Sequence, residues 1–294
     1  MNRVYYYSDS NNVYYNLALE EFLVRNFDFS NQELLLIYKN EPCIVLGKNQ
    51  NFFQEVHLPT FFKSNYKLAR RISGGGTVIH DLGNINFAFF EKHHLKKVNN
   101  YQSSTAQLTK SLNELGIRAT MNDRNAIILH NGKKVSGSAQ FSTNNGILSH
   151  LTLLFNSDLD KIDELIQKNS FALQTKASQS VRSTIDNVFN YTSFTQETFI
   201  KECTAKLGFD MVLSKESIDE IKINKLISEK YSQLSYFFDT AATGTISYRS
   251  LKIELDKGKI RNLTGMNEHS EYIGKRLLPD EIAVENPIWQ FLFN

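Results

Sequence analysis

Runs of apolar residues, broken by short polar stretches, set out helices and strands in turn along the chain. Asn16–Leu23 (NLALEEFL) places its apolar residues at helical spacing, which predicts a packing helix with Glu20 and Glu21 facing outward. Glu33–Tyr38 and Cys43–Leu46 are short apolar runs separated by Asn40-Glu-Pro42, the pattern of two neighbouring buried strands. Ser103–Leu115 predicts an amphipathic helix with Leu108, Leu112 and Leu115 on one side and Gly116 as its stop. Ala126–His130 and Lys133–Gln140 flank Asn131-Gly132, a strong type I′ hairpin signal. Ile147–Phe155 is a further strand and Asp158–Gln167 a helix opened by an acid. From Thr195 amphipathic helices follow, then the hairpin-like SLKIELDKGKIRNL and a short helical tail with Trp289. The expected division is a large domain over 1–239 and a small accessory domain or lid over 240–294.

One stretch departs from core patterning. Leu68–Phe90 carries Arg70 and Arg71, then Ser73 and three successive glycines, Gly74, Gly75 and Gly76. A glycine run leaves backbone N–H groups uncovered at a cost in folding entropy. Beside a guanidinium, such amides form a concave site for phosphate or carboxylate oxygens. The alternative is a tight turn between strands, the commonest use of glycine. The spacing is neither G-x-x-x-x-G-K-[ST] nor G-x-G-x-x-G, so the familiar ATPase and dinucleotide loops are not indicated. Beyond the glycines the residues alternate, putting Val78 and His80 on one face and Thr77, Ile79 and Asp81 on the other. Taken alone, His80 reads as a hydrogen-bonded structural histidine.

In the hairpin, a two-residue turn opposes Leu129 to Lys134, Ile127 to Ser136 and Asn125 to Ser138. Lys134 then shares a face with Asn125, Ser136 and Ser138. A lysine held on a partly buried strand is a pre-positioned cation, able to polarise a carboxylate and neutralise a phosphoryl group. A snorkelling lysine is the competing reading.

Arg-Arg-x-Ser-Gly-Gly-Gly-Thr-Val-x-His-Asp-x-Gly-Asn, together with Lys134-Val-Ser-Gly-Ser-Ala139, resembles the signature pair of lipoate-protein ligases. The resemblance implies an α+β fold: a mixed β-sheet catalytic domain of the biotin/lipoate-protein ligase type, flanked by helices, with a small C-terminal accessory domain. It implies an enzyme that uses ATP and Mg2+ to convert lipoate to lipoyl-AMP, then transfers the acyl group to a lysine of a lipoyl-acceptor protein. A glycine cleavage H-like protein or a dehydrogenase E2 subunit would be that acceptor. Lys134 is implied as the catalytic residue. Nucleotide and adenylate binding falls by the same resemblance to Arg71, Ser73, Gly74, Gly75, Gly76, Thr77, Val78, Ile79, Asn84, Asn125, Lys134, Ser138 and Ala139. Lipoate binding falls to Val45, Arg71, His80, Lys134 and His150. Lys176–Val188 also resembles a family segment, with Arg182 as a loop anchor or a phosphate contact.

Two positions depart from the family pattern. Ala126 replaces a carboxylate in Arg124-Asn125-Ala126, and Leu151 replaces a glycine in His150-Leu151-Thr152. Two other readings stay open: an octanoyl- or lipoyl-transferase of the same fold, which needs a cysteine nucleophile, and a non-catalytic lipoate or lipoyl-adenylate binding partner. Cys43 and Cys203 are the only cysteines, too few for a disulfide framework or a zinc cluster. No dedicated metal motif is present, so Mg2+ is expected only with the nucleotide phosphates.

Bulk properties narrow the class further. The 294 residues are 41% hydrophobic and 22% charged, ordinary for a globular chain. With 33 basic against 31 acidic residues, the net charge of +2 gives no electrostatic case for nucleic acid or an anionic membrane. The N-terminal residues lack the apolar core of a secretory signal, and no run approaches the ~18 apolar residues of a membrane span. A cytoplasmic chain is the expectation.

Overall fold

The computed structural model describes residues 2–238, 241–265, 270–283 and 286–293. Its main sheet has six strands in the spatial order Ser138–Ser142, Gly146–Leu154, Asn84–Lys92, Gln32–Tyr38, Asn2–Tyr7 and Met211–Val212. The first four pair antiparallel and the last three parallel. The sheet is therefore mixed, as the α+β expectation requires. A three-stranded sheet of Lys67–Arg70, Cys43–Leu46 and Val78–His80 lies beside it. A second one is built from Ala119–Met121, Ile127–Leu129 and Lys134–Ser136.

The helix over Val13–Asn26 begins at Asn12, whose side chain accepts the Tyr14 N–H and caps the exposed amides. It packs between the sheets and the segment carrying Ile223 and Tyr231, sharing one apolar cluster with both. This corrects the outward placement of its acids, since Glu20 is 1% and Glu21 4% exposed. Both are matched there by partners. Glu21 accepts from Lys230 at 2.6 Å, Tyr231 at 2.7 Å and Arg25 at 2.9 Å. Glu20 belongs to the site below.

Gln32–Tyr38 and Cys43–Leu46 are both buried, but they are not partners. The first pairs with Asn2–Tyr7 and Asn84–Lys92 on its two edges, so the chain turns at Glu41-Pro42 and enters another sheet.

The hairpin also differs from its expected geometry. Gly132 takes a φ of 81° and donates its N–H to Leu129 O at 2.9 Å, while Leu129 N donates to Lys133 O at 2.9 Å. The loop is thus His130–Gly132, three residues closed by a left-handed glycine, rather than a two-residue turn. Lys134 accordingly faces Ile128 instead of Leu129, and an irregularity between Ile127 and Ile128 restores the expected pairing of Ile127 with Ser136. Asn125 leaves the ladder with a φ of 56°.

The C-terminal strands Gly244–Tyr248, Leu251–Asp256 and Lys259–Thr264 form a four-stranded antiparallel sheet whose outer strand is Ala172–Gln174. One apolar cluster runs from Phe52 and Phe53 through Phe237 and Phe238 to Ile253 and Trp289. The expected boundary between 239 and 240 lies outside the described residues.

Candidate active site

Arg70 ends the strand Lys67–Arg70 and Arg71 follows it, and both are buried. Arg70 donates to Gly47 O at 2.7 Å, Gln50 O at 2.9 Å and Phe237 O at 2.6 Å, tying the turn after Leu46 to the end of the helical segment. Arg71 braces the glycine loop itself, donating to Gly74 O at 2.6 Å, Gly76 O at 2.7 Å and Ser73 Oγ at 3.0 Å. Desolvation pulls both guanidinium pKa values down to about 10; for Arg71, Glu20 and Tyr38 oppose that shift. Either group still carries its charge at neutral pH. Gly75 has a φ of 85°, a conformation that favours glycine, and its carbonyl lies where a Cβ on Gly47 would sit, at 2.1 Å. Two glycines are needed for this close crossing.

Two cavities meet beside this loop. The larger, of about 610 Å³, is lined by Leu17, Tyr38, Val45, Arg71, Gly75, Gly76, Thr77, Val78, His80, Ser138, Ala139, His150 and Leu151, among others. The smaller, of about 150 Å³, includes Ile79, Asn84, Val135, Ser136 and Ile185 in its wall. Lys134, Thr77, Val78, Gly137 and Thr152 border both. Lys134 is held there by its backbone, its N–H donating to Thr184 O at 2.9 Å and its carbonyl accepting from Asp186 N at 3.0 Å. Desolvation, with Arg124 as a second cause, lowers its pKa. Asn84 and Ser136 belong to the wall of the smaller cavity, and their Oδ1 and Oγ atoms are buried without a hydrogen-bond partner. Unmatched polar atoms of this kind are costly unless a ligand or water completes them.

Of the residues expected at the site, Ser73, Gly74 and Asn125 line neither cavity. Ser73 sits beneath the loop between Arg71 and His150, and Asn125 contributes a carbonyl that accepts from Ser138 Oγ at 3.0 Å. The remaining expected residues border one cavity or both. Neither cysteine does; both thiols are fully buried and desolvation pushes their pKa values up.

His80 is held through Nδ1, 3.0 Å from Asn40 Nδ2, and its Nε2 is buried without a partner. Since the amide donates, Nδ1 accepts and the proton belongs on Nε2. Desolvation, then Arg71, then His150, lower its pKa to about 3, so the ring is neutral.

The chain matches the lipoyl protein ligase A/B catalytic domain over residues 12–208. It is 30% identical to lipoate–protein ligase 1 of Staphylococcus aureus over 275 residues, 88% of this chain and 80% of that protein. The chain belongs to the lipoate-protein ligase family. Lipoate-protein ligase LplJ of Bacillus subtilis is 38% identical over 176 residues, 60% of this chain, a match that spans 53% of the Bacillus protein. The fold is shared with a structure of a bi-partite lipoate protein ligase and its E2 lipoyl domain from Thermoplasma acidophilum, with a TM-score of 0.68 at 22% identity, covering 81% of this chain and 96% of that one.

Within this ligase-family site, the sequence reading missed several residues. Tyr38 lines the larger cavity, and its O–H donates to Glu20 Oε1 at 3.0 Å just behind that wall. Ser180 comes from the loop after Gln174 and accepts both Thr77 N–H at 2.9 Å and Gln50 Nε2 at 2.7 Å. Its only sequence signal is the SVRS segment, whose Arg182 lines the smaller cavity. The two departures from the family pattern, Ala126 and Leu151, both line the larger cavity. Asp123 is the one carboxylate among its described lining residues. No cluster of three His, Cys, Asp or Glu that could hold a metal ion is present among the described residues. No helix among the described residues is long and apolar enough to cross a membrane.

Proposed function

We propose that this chain is an ATP-dependent lipoate-protein ligase. The observation that carries the reading is the position of Lys134 on the border between a large cavity whose wall includes Val45, Val78 and Leu151 and a small one whose wall includes Asn84 and Ser136. The large cavity takes the lipoyl chain along Val45, Val78 and Leu151; the small one takes the nucleoside against Ile79, Asn84 and Ser136. Their junction is then the acyl–phosphate bond. In the first step a carboxylate oxygen of lipoate attacks the α-phosphorus of ATP, and pyrophosphate leaves with the bonding electrons. The Lys134 ammonium offsets the charge of both groups, and the amides of Gly75 and Gly76 orient them. In the second step an acceptor lysine amine attacks the acyl carbon, AMP leaves, and the amine loses its proton. Activation is needed because a carboxylate and an amine at neutral pH form a salt rather than an amide.

The acceptor is a lipoyl domain of the dehydrogenase E2 or glycine cleavage H-like type. The E2 lipoyl domain studied with the Thermoplasma ligase supports that class. The transferase alternative has no support from the cavity walls, which contain no cysteine among the described residues. Mass spectrometry of such a domain after incubation with lipoate, with and without ATP, tests the reading. A lipoyl mass gain only with ATP is expected. Transfer from an acyl-carrier thioester without ATP would assign a transferase instead, and lipoate-dependent ATP–pyrophosphate exchange that survives Lys134→Ala would remove the role given to Lys134.

A further inference from the structure

A chain of buried hydrogen bonds connects the inner end of the large cavity to the glycine loop. His150 Nδ1 is 3.1 Å from Glu20 Oε1 and 3.0 Å from Oε2, and its Nε2 is 2.7 Å from Ser73 Oγ. Ser73 Oγ accepts Arg71 Nε–H at 3.0 Å, and the same guanidinium donates to Gly74 O and Gly76 O. Serine, histidine and a carboxylate in this order are familiar from nucleophilic catalysis. Here the hydroxyl is no nucleophile: Ser73 is 1% exposed, borders neither cavity, and already accepts from an arginine.

The directions of these bonds can be assigned from their ends. An arginine N–H only donates and a carboxylate only accepts. Tyr38, whose phenol burial and then Glu20 hold well above its ordinary pKa, donates to Glu20 as well. With Nδ1–H directed at Glu20, Nε2 is the ring atom that can accept the Ser73 hydroxyl. Every donor then has an acceptor.

We propose that Glu20 is a positioning residue for the glycine loop. By fixing His150 in its Nδ1–H tautomer, it lets Ser73 point its hydroxyl inward and turn its lone pairs to Arg71, which in turn sets the Gly74–Gly76 backbone and the amides that follow. The proposal rests on the ligase reading only for its kinetic consequence; the tautomer and the loop can be observed without it.

Glu20→Gln is the informative substitution because it preserves shape. Both carboxylate oxygens lie within 3.1 Å of Nδ1, so the amide puts an NH2 donor in place of one acceptor and leaves only a neutral carbonyl oxygen, a weaker acceptor than a carboxylate, to hold Nδ1–H. Correlation spectra of ring-labelled histidine, with the His150 signals assigned by their loss in His150→Asn, should show Nδ1–H in the unaltered chain and a shift towards Nε2–H in Glu20→Gln. Amide hydrogen exchange across residues 71–77 should quicken, and lipoate-dependent ATP–pyrophosphate exchange should fall about tenfold as the loop loses its set geometry. Ser73→Ala cuts the same chain one step further on. It should keep the Nδ1–H tautomer yet reproduce the faster amide exchange and the lower rate. An unchanged tautomer in Glu20→Gln, or unchanged loop exchange in Ser73→Ala, overturns the proposal. If the unaltered chain catalyses no exchange, the ligase reading fails, while the tautomer and amide measurements still decide the role of Glu20.

Discussion

A Cβ placed on Gly137 would lie 3.2 Å from Lys134 Nζ and 3.4 Å from its Cε. Glycine at 137 therefore clears the space in which the ammonium stands. The φ of Gly137 is not among the positive ones, so alanine meets no backbone strain there. What yields is the far end of a flexible side chain. Gly137→Ala should change stability by about 1 kcal/mol or less, yet lower the adenylation rate about tenfold or more by displacing the amine. Urea unfolding and ATP–pyrophosphate exchange on the same sample separate the two effects. Equal losses in both would mean that Gly137 serves the fold rather than the amine.

Lys134 should set the alkaline limit of the reaction. Its pKa is lowered first by desolvation and then by Arg124, so the ammonium is lost below the pH at which a free lysine deprotonates. The rate should fall along an alkaline limb that begins under pH 10.5. Arg124→Ala removes the second cause and should move that limb upward, whatever it does to the rate on the plateau. The linked stability effect has a definite sign. Between the folded pKa and the ordinary lysine value the unfolded chain holds the extra proton, so stability rises with pH across that window. A pH profile of exchange for the two proteins checks the shift, and coincident limbs would count against Lys134 as the titrating group.

The α+β architecture and most elements were legible in the apolar spacing because the core follows it: Leu108 and Leu112 are fully buried on their helix, and Gly116 ends it with a φ of 83°. The sequence misled where a tertiary partner decides the outcome. Glu20 and Glu21 read as solvent-facing since carboxylates seldom go inside unpaired. Their partners, His150, Tyr38, Lys230 and Tyr231, come from distant positions that spacing along one helix cannot reveal. Similarly, the extra loop residue His130 shifted the pairing of Lys134 by one, although its placement beside the glycine loop did not depend on that register. Arg71 could be foreseen near the glycines, but not that it braces their carbonyls.

The three glycines of the loop should not respond alike to alanine. Gly74 has a φ outside the left-handed region, and an added Cβ meets nothing within 4 Å. Gly75 has a φ of 85° and would bring a Cβ within 3.0 Å of Arg71 Nη2. Gly74→Ala should be close to neutral in stability, within about 0.5 kcal/mol. Gly75→Ala should cost about 1–2 kcal/mol through its left-handed backbone and disturb the Arg71 brace as well. Thermal unfolding of the two variants makes the comparison directly. Similar losses at both positions would show that the triplet is valued for general flexibility rather than for one turn.

His80 should make the fold sensitive to acid. The folded chain keeps this ring neutral down to about pH 3, whereas an unfolded histidine takes up a proton near its ordinary value of 6.5. Within that window the unfolded state binds more protons, so stability is highest above it and is lost as pH falls. One proton corresponds to about 1.4 kcal/mol per pH unit. His80→Gln keeps an acceptor for Asn40 and removes the titration, so the variant is expected to be less stable at neutral pH but to lose less on acidification. Urea unfolding of both proteins at about pH 7 and about pH 5 gives the two slopes, and the contributions of the other histidines cancel in their difference. A slope in His80→Gln equal to that of the unaltered chain would mean that the buried ring takes its proton in the folded state, and that desolvation does not hold it neutral.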